Sequence, residues 1–344
     1  MSTTGERTAG GGGGGGRGGG AAPPPPPPKP PQSEWGGGAG PRPPGGPGAR
    51  GGGGGGRGGG GGGGGGAPPP PPRLRNIAQE TERIVAAGAY RLPDGREVPL
   101  RAEIEAARSA TAVRGPLPVP VPRTEPTATV VEVTGESSLA AARRLADRPV
   151  AVLNFASARN PGGGYLNGAQ AQEEALCRAS ALYTCLLRVP EYYAHHRAHR
   201  DPFYSDRVVH SPAVPVFRDD RGRLLEEPYR AGFLTAAAPN AGVVLRTAPE
   251  RAGDLPGALA VRAERVLETA AAHGYRRLVL GAWGCGVFRN DPAQVAGAFR
   301  ALLGPGGRFA GTFAHVVFGV LDRTPGAGVR QAFERTFAEV QLQP

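Results

Sequence analysis

The stretch "NPGGGYLNGAQAQEEA", residues 160–175, holds three consecutive glycines and two adjacent carboxylates. The run before it, "PVAVLNFA" (149–156), predicts a buried strand, and the run that follows, "QEEALCRASALYTCLLR" (172–188), predicts a helix. Glycine lets a backbone approach a ligand closely and turn its N–H groups outward, which suits phosphate oxygens. The stretch therefore predicts an α/β fold with an anion site where a strand ends.

A second glycine-rich loop has the same setting further along the chain. "GAWGCGVFRNDP" (281–292) follows the apolar run "RRLVLGAW" (276–283) and precedes a helix predicted for 291–303, with Asp291 as its N-cap and Pro292 at its first position. In α/β sheets, ligands bind beyond the carboxyl ends of the strands. We therefore expect the two loops to hold one diphosphate between them.

The rest of the folded part alternates between strands and helices. Strands are predicted at 128–134, 208–218, 233–239 and 314–322, and helices at 75–91, 137–146, 257–274 and 329–340. Residues 216–230 are expected to form a β-hairpin or a surface loop. Apolar strands that alternate with helices indicate a mainly parallel sheet covered on both faces.

The first part of the chain has a different composition. Residues 1–72 are almost entirely Gly, Pro and Ala and have almost no apolar side chains to bury, so they predict a disordered Gly/Pro-rich arm. Residues 73–344 are long enough for one α/β domain with a sizeable core.

The net charge is +11, and the arm contributes six basic and two acidic residues of that balance. A basic domain suits an anionic ligand such as nucleic acid or a phosphorylated metabolite. Lys29 is the only lysine, and the abundance of Ala, Gly, Pro and Arg equally fits a GC-rich coding bias. Both origins of the basic charge stay open.

The chain is expected to be cytoplasmic. It has no 18-residue apolar run to span a membrane, and its first residues lack the apolar stretch of a secretory signal. Cys177 and Cys185 are eight residues apart on one predicted helix, roughly 12 Å along its axis, which is too far for a disulfide. Together with Cys285 they predict three unpaired thiols in a reducing compartment.

Glu173 and Glu174 are the candidates for acid chemistry. Neighbouring residues of a regular helix point about 100° apart, so the two cannot flank one glycosidic bond as an ordinary acid and base pair does. At the start of a helix both can reach a ligand from one side, one as an acid and the other holding a sugar hydroxyl. The alternative is that they only complement the positive end of the helix.

Other polar and aromatic residues carry weaker signals. His195 and His199 have a spacing that suits zinc, but no set of Cys or carboxylate ligands accompanies them, so a solvated helix end is expected. We expect Cys285 to be a small packing residue and Trp283 to belong to the core. No metal site is predicted.

The glycine triplet, the seven residues after it and Gln172-Glu173-Glu174 resemble the signature of the microbial-type poly(ADP-ribose) glycohydrolases. "NFASARNPGGG" and "GAWGCGVFRNDP" look like the two phosphate-side loops of that family, and "RNIAQETERIVAAGAY" looks like the segment that precedes its domain. The resemblance covers about residues 75 to 340. It implies a three-layer α/β/α macrodomain-like sandwich with a mixed, mainly parallel sheet that binds ADP-ribose.

The resemblance also implies roles for individual residues. Glu174 would protonate the leaving ribose oxygen, Glu173 would hold ribose hydroxyls, and Gln172 would help to set the loop. Phe288 would pack on the terminal ribose and orient it. The residues that would pass along or donate to the diphosphate and the terminal ribose through their backbone are Gly162, Gly163, Gly164, Gly284, Gly286 and Val287. Vertebrate-type members have an asparagine where this chain has Ser157, and Asn160 stands as its substitute.

The implied activity is exo-acting hydrolysis of the ribose–ribose O-glycosidic bond of poly(ADP-ribose), which releases ADP-ribose. It would proceed through an oxocarbenium-like ribose attacked by water, in a monomer, without metal or cofactor, on the polymer or on ADP-ribosylated proteins. Two alternatives stay open: a module that binds ADP-ribose without cutting it, and a hydrolase of ADP-ribose on other linkages. Nucleic-acid association has little support, because no aromatic pattern accompanies the arginines of the arm.

Overall fold

The computed structural model describes residues 72–122 and 125–338. The predicted arm lies outside the described residues except for Pro72, which begins the first helix. The helices are α1 (Pro72–Ala87), α2 (Arg101–Ala110), α3 (Ser138–Leu145), α4 (Gln172–Ala179), α5 (Leu182–Leu186), α6 (Pro190–Ala198), α7 (Ala241–Thr247), α8 (Leu255–Ala272), α9 (Pro292–Leu303) and α10 (Gly328–Phe337). The strands are β1 (Ala89–Arg91), β2 (Glu97–Pro99), β3 (Ala112–Arg114), β4 (Val130–Thr134), β5 (Val150–Phe155), β6 (Val208–Arg218), β7 (Leu224–Ala236), β8 (Arg277–Leu280) and β9 (His315–Gly319).

Seven of these strands form one mixed sheet in the order β3-β6-β7-β5-β8-β9-β4, and β1 and β2 form a separate pair. The pairs from β7 through β5, β8 and β9 to β4 are parallel, whereas β6 is antiparallel to both β7 and β3. The predicted mixed, mainly parallel sheet is confirmed.

The central strand β5 shows why the fold has three layers. Val150 and Val152 are fully buried in one hydrophobic cluster, which also contains α3 and α4, while Ala151 and Leu153 are fully buried in a second cluster with α8, α9 and α10. Because successive side chains of a strand point to opposite faces, an apolar run is buried on both sides only when helices cover both faces. The predicted α/β/α sandwich is confirmed.

The helix predicted for 172–188 is interrupted. Ser180 has extended backbone angles and forms a β-bridge with Val216, and Ala181 N donates to Pro215 O at 3.1 Å. The Ser180 hydroxyl donates to Leu176 O at 2.7 Å and accepts from Leu182 N, so a side chain takes over bonds that the helix loses at this point. α4 is therefore a short helix, and its first turn faces the site.

The strand predicted for 233–239 is longer than expected at its start. β7 begins at Leu224 because it pairs with β6 in a hairpin that turns at residues 219–223. The hairpin was one of the two predictions for residues 216–230.

Candidate active site

The two glycine-rich loops leave the sheet side by side. β5 and β8 are parallel neighbours, with Val150 opposite Arg277 and Val152 opposite Val279. The first glycine loop (residues 156–171) follows β5, and the second glycine loop (residues 281–291) follows β8. Since parallel neighbours end at the same edge, both loops start at the carboxyl ends of adjacent strands, as the sequence predicted.

Gln172 connects the start of α4 to the end of β5. Its amide nitrogen donates to Leu153 O at 2.8 Å and to Ser138 Oγ at 3.1 Å, and its amide oxygen accepts from Phe155 N at 2.9 Å. These bonds satisfy backbone groups at the point where β5 leaves the sheet, so Gln172 fixes the distance between strand and helix.

Glu173 is buried, with 3% of its surface exposed. Its Oε2 accepts from Ser157 N at 2.7 Å and its Oε1 accepts from Asn154 Nδ2 at 3.3 Å. Burial raises the pKa of Glu173 to about 8, and the neighbouring charge of Glu174 acts in the same direction. These surroundings therefore favour the protonated form of this carboxyl.

Glu174 is 8% exposed, and its Oε1 accepts from Gly164 N at 2.9 Å. A β-carbon placed on Gly163 would collide with Glu174 Oε1 and lie 3.2 Å from Glu173 Oε2. Both carboxyl groups therefore converge on the backbone of Gly163, from one side, as the first turn of α4 permits.

The glycines of the first loop are required by their surroundings. Gly162 and Gly163 have φ of 66° and 57°, which L side chains rarely adopt. A β-carbon on Gly162 would lie 2.8 Å from the Tyr183 ring, and one on Gly164 would lie 2.6 Å from Ala169 Cβ. The triplet is thus enclosed by the protein itself.

Asn160 lies exposed in the turn that leads into these glycines. Its carbonyl accepts from Gly163 N at 3.0 Å, and its N–H donates to Ser157 Oγ at 3.3 Å. Ser157 contacts Glu173 through its backbone, as described above. The two residues therefore shape the loop through backbone groups and the Ser157 hydroxyl.

Sequence reasoning missed Asn154. This residue is fully buried in β5, and its Nδ2 donates to Thr235 Oγ1 at 3.1 Å as well as to Glu173. The signal was present, because Asn154 is the one polar residue of the apolar strand "VAVLNF". A buried amide needs polar partners, and Glu173 is one of them.

Sequence reasoning also missed Tyr165, which anchors the first loop to α1. Its hydroxyl hydrogen-bonds Glu82 Oε1 at 2.9 Å and Ala78 O at 3.2 Å, and its ring lies 5.1 Å from the Tyr183 ring. Burial raises the pKa of Glu82, so this carboxyl sits in a site that disfavours its charge. The helix before the sheet is part of the support of the site.

The second glycine loop has a fixed half and an open half. Gly284 has φ of 71°, and a β-carbon on it would lie 2.6 Å from Ala238 Cβ. The buried Asn290 donates to Pro239 O at 2.8 Å and to Gly284 O at 3.2 Å, which fixes this turn. At Gly286, by contrast, a β-carbon would meet no atom within 4 Å.

Val287 and Phe288 follow this open position. Val287 is 86% exposed, which is unusual for a residue of its kind. Phe288 is half-buried against the second cluster, and its ring lies 5.8 Å from that of Tyr204. Val287 and Phe288 therefore present apolar surface beside Gly286, toward solvent or toward a ligand.

A cavity of about 1090 Å³ adjoins both loops. Its lining includes Gln172 beside the first loop and Gly286 in the second, and it continues to Gly135 after β4 and Gly319 at the end of β9. Glu173 and Glu174 do not line the cavity, but their neighbours in the chain, Gln172 and Ala175, do. The volume suffices for a ligand of dinucleotide size.

The surroundings of the remaining candidate residues indicate structural roles. The His195 and His199 rings stack at 4.1 Å, and the described residues contain no group of three or more metal-ligating side chains. Burial raises the pKa of the Cys285 thiol to about 12, which disfavours a nucleophilic thiolate. Trp283 is buried and donates to Ala236 O at 2.9 Å, so its predicted core position is confirmed.

No helix among the described residues has the length and apolar character needed to cross a membrane.

Comparison with known proteins gives a consistent set of similarities. The family model described as the catalytic domain of microbial-type PARG, the abbreviation for poly(ADP-ribose) glycohydrolase, matches residues 78–219. The crystal structure of poly(ADP-ribose) glycohydrolase from Thermomonospora curvata is 51% identical, with a TM-score of 0.72, over 77% of this chain and 99% of that chain. The same enzyme bound to the inhibitor ADP-HPD aligns at 52% identity and a TM-score of 0.70, over 77% of this chain and 99% of that one. The enzyme from Deinococcus radiodurans, in complex with ADP-ribose, is 42% identical at a TM-score of 0.65, over 74% of this chain and 100% of that chain. No curated protein sequence matches this chain.

Proposed function

The chain belongs to the microbial-type poly(ADP-ribose) glycohydrolases, and we propose that it hydrolyses the ribose–ribose O-glycosidic bond at the end of the poly(ADP-ribose) polymer. The general acid in this proposal is Glu174. The observation that carries the assignment of the acid is the convergence of Glu173 and Glu174 on Gly163, beside a cavity that can hold ADP-ribose. Binding alone does not require two carboxyl groups in this position.

Glu174 is the better placed of the two to give a proton to the substrate. Gly164 N holds its Oε1, which fixes the rotamer and leaves Oε2 as the oxygen that we assign to proton transfer. Glu173 is bound by Ser157 N and Asn154 on its two oxygens and is more deeply buried, which suits a group that holds ribose hydroxyls.

The start of α4 places two opposing requirements on the protonation of Glu173 and Glu174. A helix N-terminus favours charged carboxylates, whereas a general acid must carry a proton. Burial of Glu173 opposes the helix and favours the protonated form of that carboxyl. In the proposed mechanism, ribose hydroxyls that donate to Glu173 stabilise its charged form, and Glu174 supplies the proton to the substrate.

The chemical step follows from that arrangement. Glu174 transfers its proton to the oxygen that links the two riboses, the bond from that oxygen to the anomeric carbon breaks, and its electron pair stays with the leaving chain. Water adds to the oxocarbenium-like ribose near the diphosphate, and its proton returns to the carboxylate pair. The products are ADP-ribose and a polymer one unit shorter, and no metal or cofactor takes part.

The backbone of the two loops positions the diphosphate in this proposal. Gly284, Gly286 and Val287 present N–H groups from the second loop, and the open space at Gly286 leaves room for phosphate oxygens. The first loop, with Gly162, Gly163 and Gly164, passes along the terminal ribose, close to the two glutamates.

Three further residues support that placement, two through their side chains and Asn160 through its backbone. Phe288 packs on the terminal ribose and orients its anomeric carbon toward Glu174. Gln172 and Asn160 act on the loop that surrounds the ribose, Gln172 through its bonds to β5 and Asn160 through its carbonyl.

The proposal extends to the setting of the enzyme. Its substrate is the polymer, free or on ADP-ribosylated proteins, and residues 73–344 act as one catalytic domain, as a monomer in the cytoplasm. Cys177 and Cys185 are buried as free thiols and Cys285 is half-buried, which is consistent with a reducing compartment.

Incubation of the purified protein with labelled poly(ADP-ribose), with products resolved by size, tests the proposal. Monomeric ADP-ribose should accumulate from the first minutes, without fragments of intermediate length. Glu174→Gln should lower kcat by at least about 10²-fold, because it removes the proton donor and keeps the shape of the side chain. Its affinity for ADP-ribose, measured by calorimetry, should stay within about twofold of the parent.

Glu226→Gln, on the exposed part of β7, is the matched control and should behave as the parent. A parent chain that binds ADP-ribose but releases no product would make the protein a binding module. Release from protein-linked ADP-ribose but not from the polymer would reassign the linkage, and near-normal activity of Glu174→Gln would refute the assigned acid.

A further inference from the structure

Four arginines lie in the first glycine loop, in α6, in the segment that follows α6 and in the second glycine loop. We call Arg159, Arg197, Arg207 and Arg289 the basic rim. Arg197 Nη1, on α6, donates to Arg159 O at 2.7 Å, and this connects the rim to the first loop. Arg207 Nη1 contacts His195 Nε2, on the same helix, at 2.9 Å.

The other end of the rim reaches the second loop. Three residues before Arg207, the ring of Tyr204 lies 5.8 Å from the ring of Phe288, and Arg289 follows Phe288 in the chain. The rim therefore passes the position that the proposed function gives to the terminal ribose. The rest of the polymer begins at that position, because the scissile bond joins it to that ribose.

No carboxylate neutralises the rim within the described residues. None of its four guanidinium groups has a carboxylate oxygen within 4.0 Å, although the segment between Arg197 and Arg207 contains two aspartates. Asp201 pairs with Arg251 at 3.2 Å and Asp206 with Arg262 at 3.1 Å, so arginines outside the rim already neutralise both.

Helix capping explains only one of these residues. Arg197 lies in the last turn of α6, where a cation complements the helix dipole. Arg159, Arg207 and Arg289 lie outside that helix, so the dipole gives no reason for their charge.

Backbone strain singles out the end of the rim at the second loop. Arg289 and Tyr204 are two of the four described non-glycine residues with positive φ, at 57° and 60°. Arg289 follows Phe288 in the chain, and the Tyr204 ring lies 5.8 Å from the Phe288 ring. Glycine would adopt the backbone angle of Arg289 at lower cost. The stem of Arg289 lies over Gly242, where a β-carbon would come within 3.1 Å of its Cδ, so a neighbouring glycine makes room for this side chain.

We propose that the basic rim binds the diphosphate of the second ADP-ribose unit, counted from the chain end, and so favours polymer over free ADP-ribose as the ligand. This inference rests on the proposed function, since that function fixes where the second unit emerges. An arginine suits the task because its planar fork of donors matches phosphate oxygens.

The test compares ligands with and without a second unit. In a Glu174→Gln background, which prevents cleavage, we would measure the Kd for ADP-ribose and for a polymer of about twenty units. Arg289→Gln and the triple variant Arg197→Gln/Arg207→Gln/Arg289→Gln should weaken polymer binding, by about threefold and at least about tenfold. The Kd for ADP-ribose should change by less than about twofold, and the salt slope of polymer binding should fall by about one for each phosphate group that the variant no longer neutralises.

The matched control removes the same charge elsewhere on the surface. Arg83→Gln/Arg148→Gln/Arg335→Gln replaces three exposed arginines on α1, in the turn after α3 and on α10. The control should keep polymer affinity within about twofold of the Glu174→Gln parent. Arg289→Gly relieves the backbone strain and should raise Tm while still weakening polymer binding, so it separates the removed charge from any loss of folding.

Three results would overturn the proposal that the basic rim binds the second ADP-ribose unit. The first is equal loss of polymer affinity in the rim variant and the control, which would indicate net charge alone. The second is equal loss for ADP-ribose and polymer. The third is that a single-stranded oligonucleotide of matched charge binds the parent as tightly as the polymer does and loses affinity equally, which would indicate a nucleic-acid surface. A native-sequence chain that fails to degrade polymer refutes the proposed function instead, while the binding measurements still decide the rim.

Discussion

The two glycine loops use the same residue for different reasons. In the first loop, a β-carbon on any glycine of the triplet would meet the protein itself: the Tyr183 ring, the two glutamate carboxyls or Ala169. In the second loop, a β-carbon on Gly286 would meet nothing within 4 Å. Contacts within the protein therefore require every glycine of the triplet, whereas in the second loop they require Gly281 and Gly284 and leave open space only at Gly286.

The largest expected effects come from placing one methyl group or a larger side chain in each loop. Gly286→Val should keep Tm within about 2 °C of the parent, because the added atoms enter open space. It should weaken ADP-ribose binding by at least about tenfold if phosphate oxygens occupy that space. Calorimetry with ADP-ribose and a thermal melt measure the two quantities.

Gly163→Ala should show the opposite pattern. Its φ of 57° and the collision with Glu174 both disfavour the native backbone, so Tm should fall by several degrees and kcat should fall with it. Gly297→Ala, at an uncrowded position of α9, is the control and should leave ADP-ribose binding unchanged. If Gly286→Val binds ADP-ribose like the parent, the contrast between the loops is wrong.

A smaller effect is expected at Phe288, which belongs to the second loop but acts on the ribose. Phe288→Ala should keep most of the ADP-ribose affinity and lower kcat by about tenfold, because the terminal ribose loses the orientation that Glu174 requires. Steady-state kinetics on poly(ADP-ribose) separate kcat from KM. A change confined to KM would place Phe288 in ground-state binding only.

One contribution to the pH dependence of stability should come from Glu173, in the first turn of α4 beside the first loop. The folded-state pKa of Glu173, about 8, lies above its ordinary value of 4.5, so unfolding releases a proton within that range. The contribution of Glu173 to stability is therefore complete below pH 4.5 and is lost as pH rises toward 8.

Glu173→Gln should remove that loss, so the fall in Tm from pH 5 to pH 8 should be smaller than in the parent by at least about 2 °C, which corresponds to ~1 kcal/mol. Glu226→Gln, which is exposed on β7, should keep the pH dependence of the parent. Parallel pH profiles of the parent and Glu173→Gln would show that the carboxyl is charged in the free protein.

The smallest effect is expected for removal of residues 1–71. Both loops and all their contacts described above lie within residues 72–338, and the composition of the arm gives it little to bury. Tm and the Kd for ADP-ribose should therefore equal those of the full chain. A Tm lower by several degrees would show that the arm stabilises the domain.

The sequence predicted the class of fold well because the relevant signals are local. Apolar runs such as 149–156 and 276–283 are continuous. A strand that is buried on both faces has such a run whatever its position in the sheet. β6 was predicted with its observed bounds, Val208–Arg218. The break at Ser180 was missed, because it depends on a bridge to Val216 that no local pattern encodes.

The sequence identified the candidate site residues but not the contacts that require them. Glu173, Glu174 and the glycines were identified from their order in the chain, yet the sequence could not show that a side chain on Gly163 meets carboxylates before it meets a ligand. Asn154 and Tyr165 escaped because their roles depend on partners far along the chain, Thr235 and Glu82. Local sequence patterns do not show contacts between residues that are far apart in the chain.

The order of strands has a consequence for how the chain reaches this state. β6 and β7 form a hairpin and can pair as soon as both are synthesised. Among the described strands, β4 lies at the edge of the sheet and pairs only with β9, with Val130 opposite His315. A nascent chain on the ribosome therefore carries β4 unpaired until almost the whole domain has emerged, with a strand edge that is prone to wrong pairing in the meantime. The cavity end at Gly135 and Gly319 closes only in that last step, so a chain interrupted before β9 should never bind ligand.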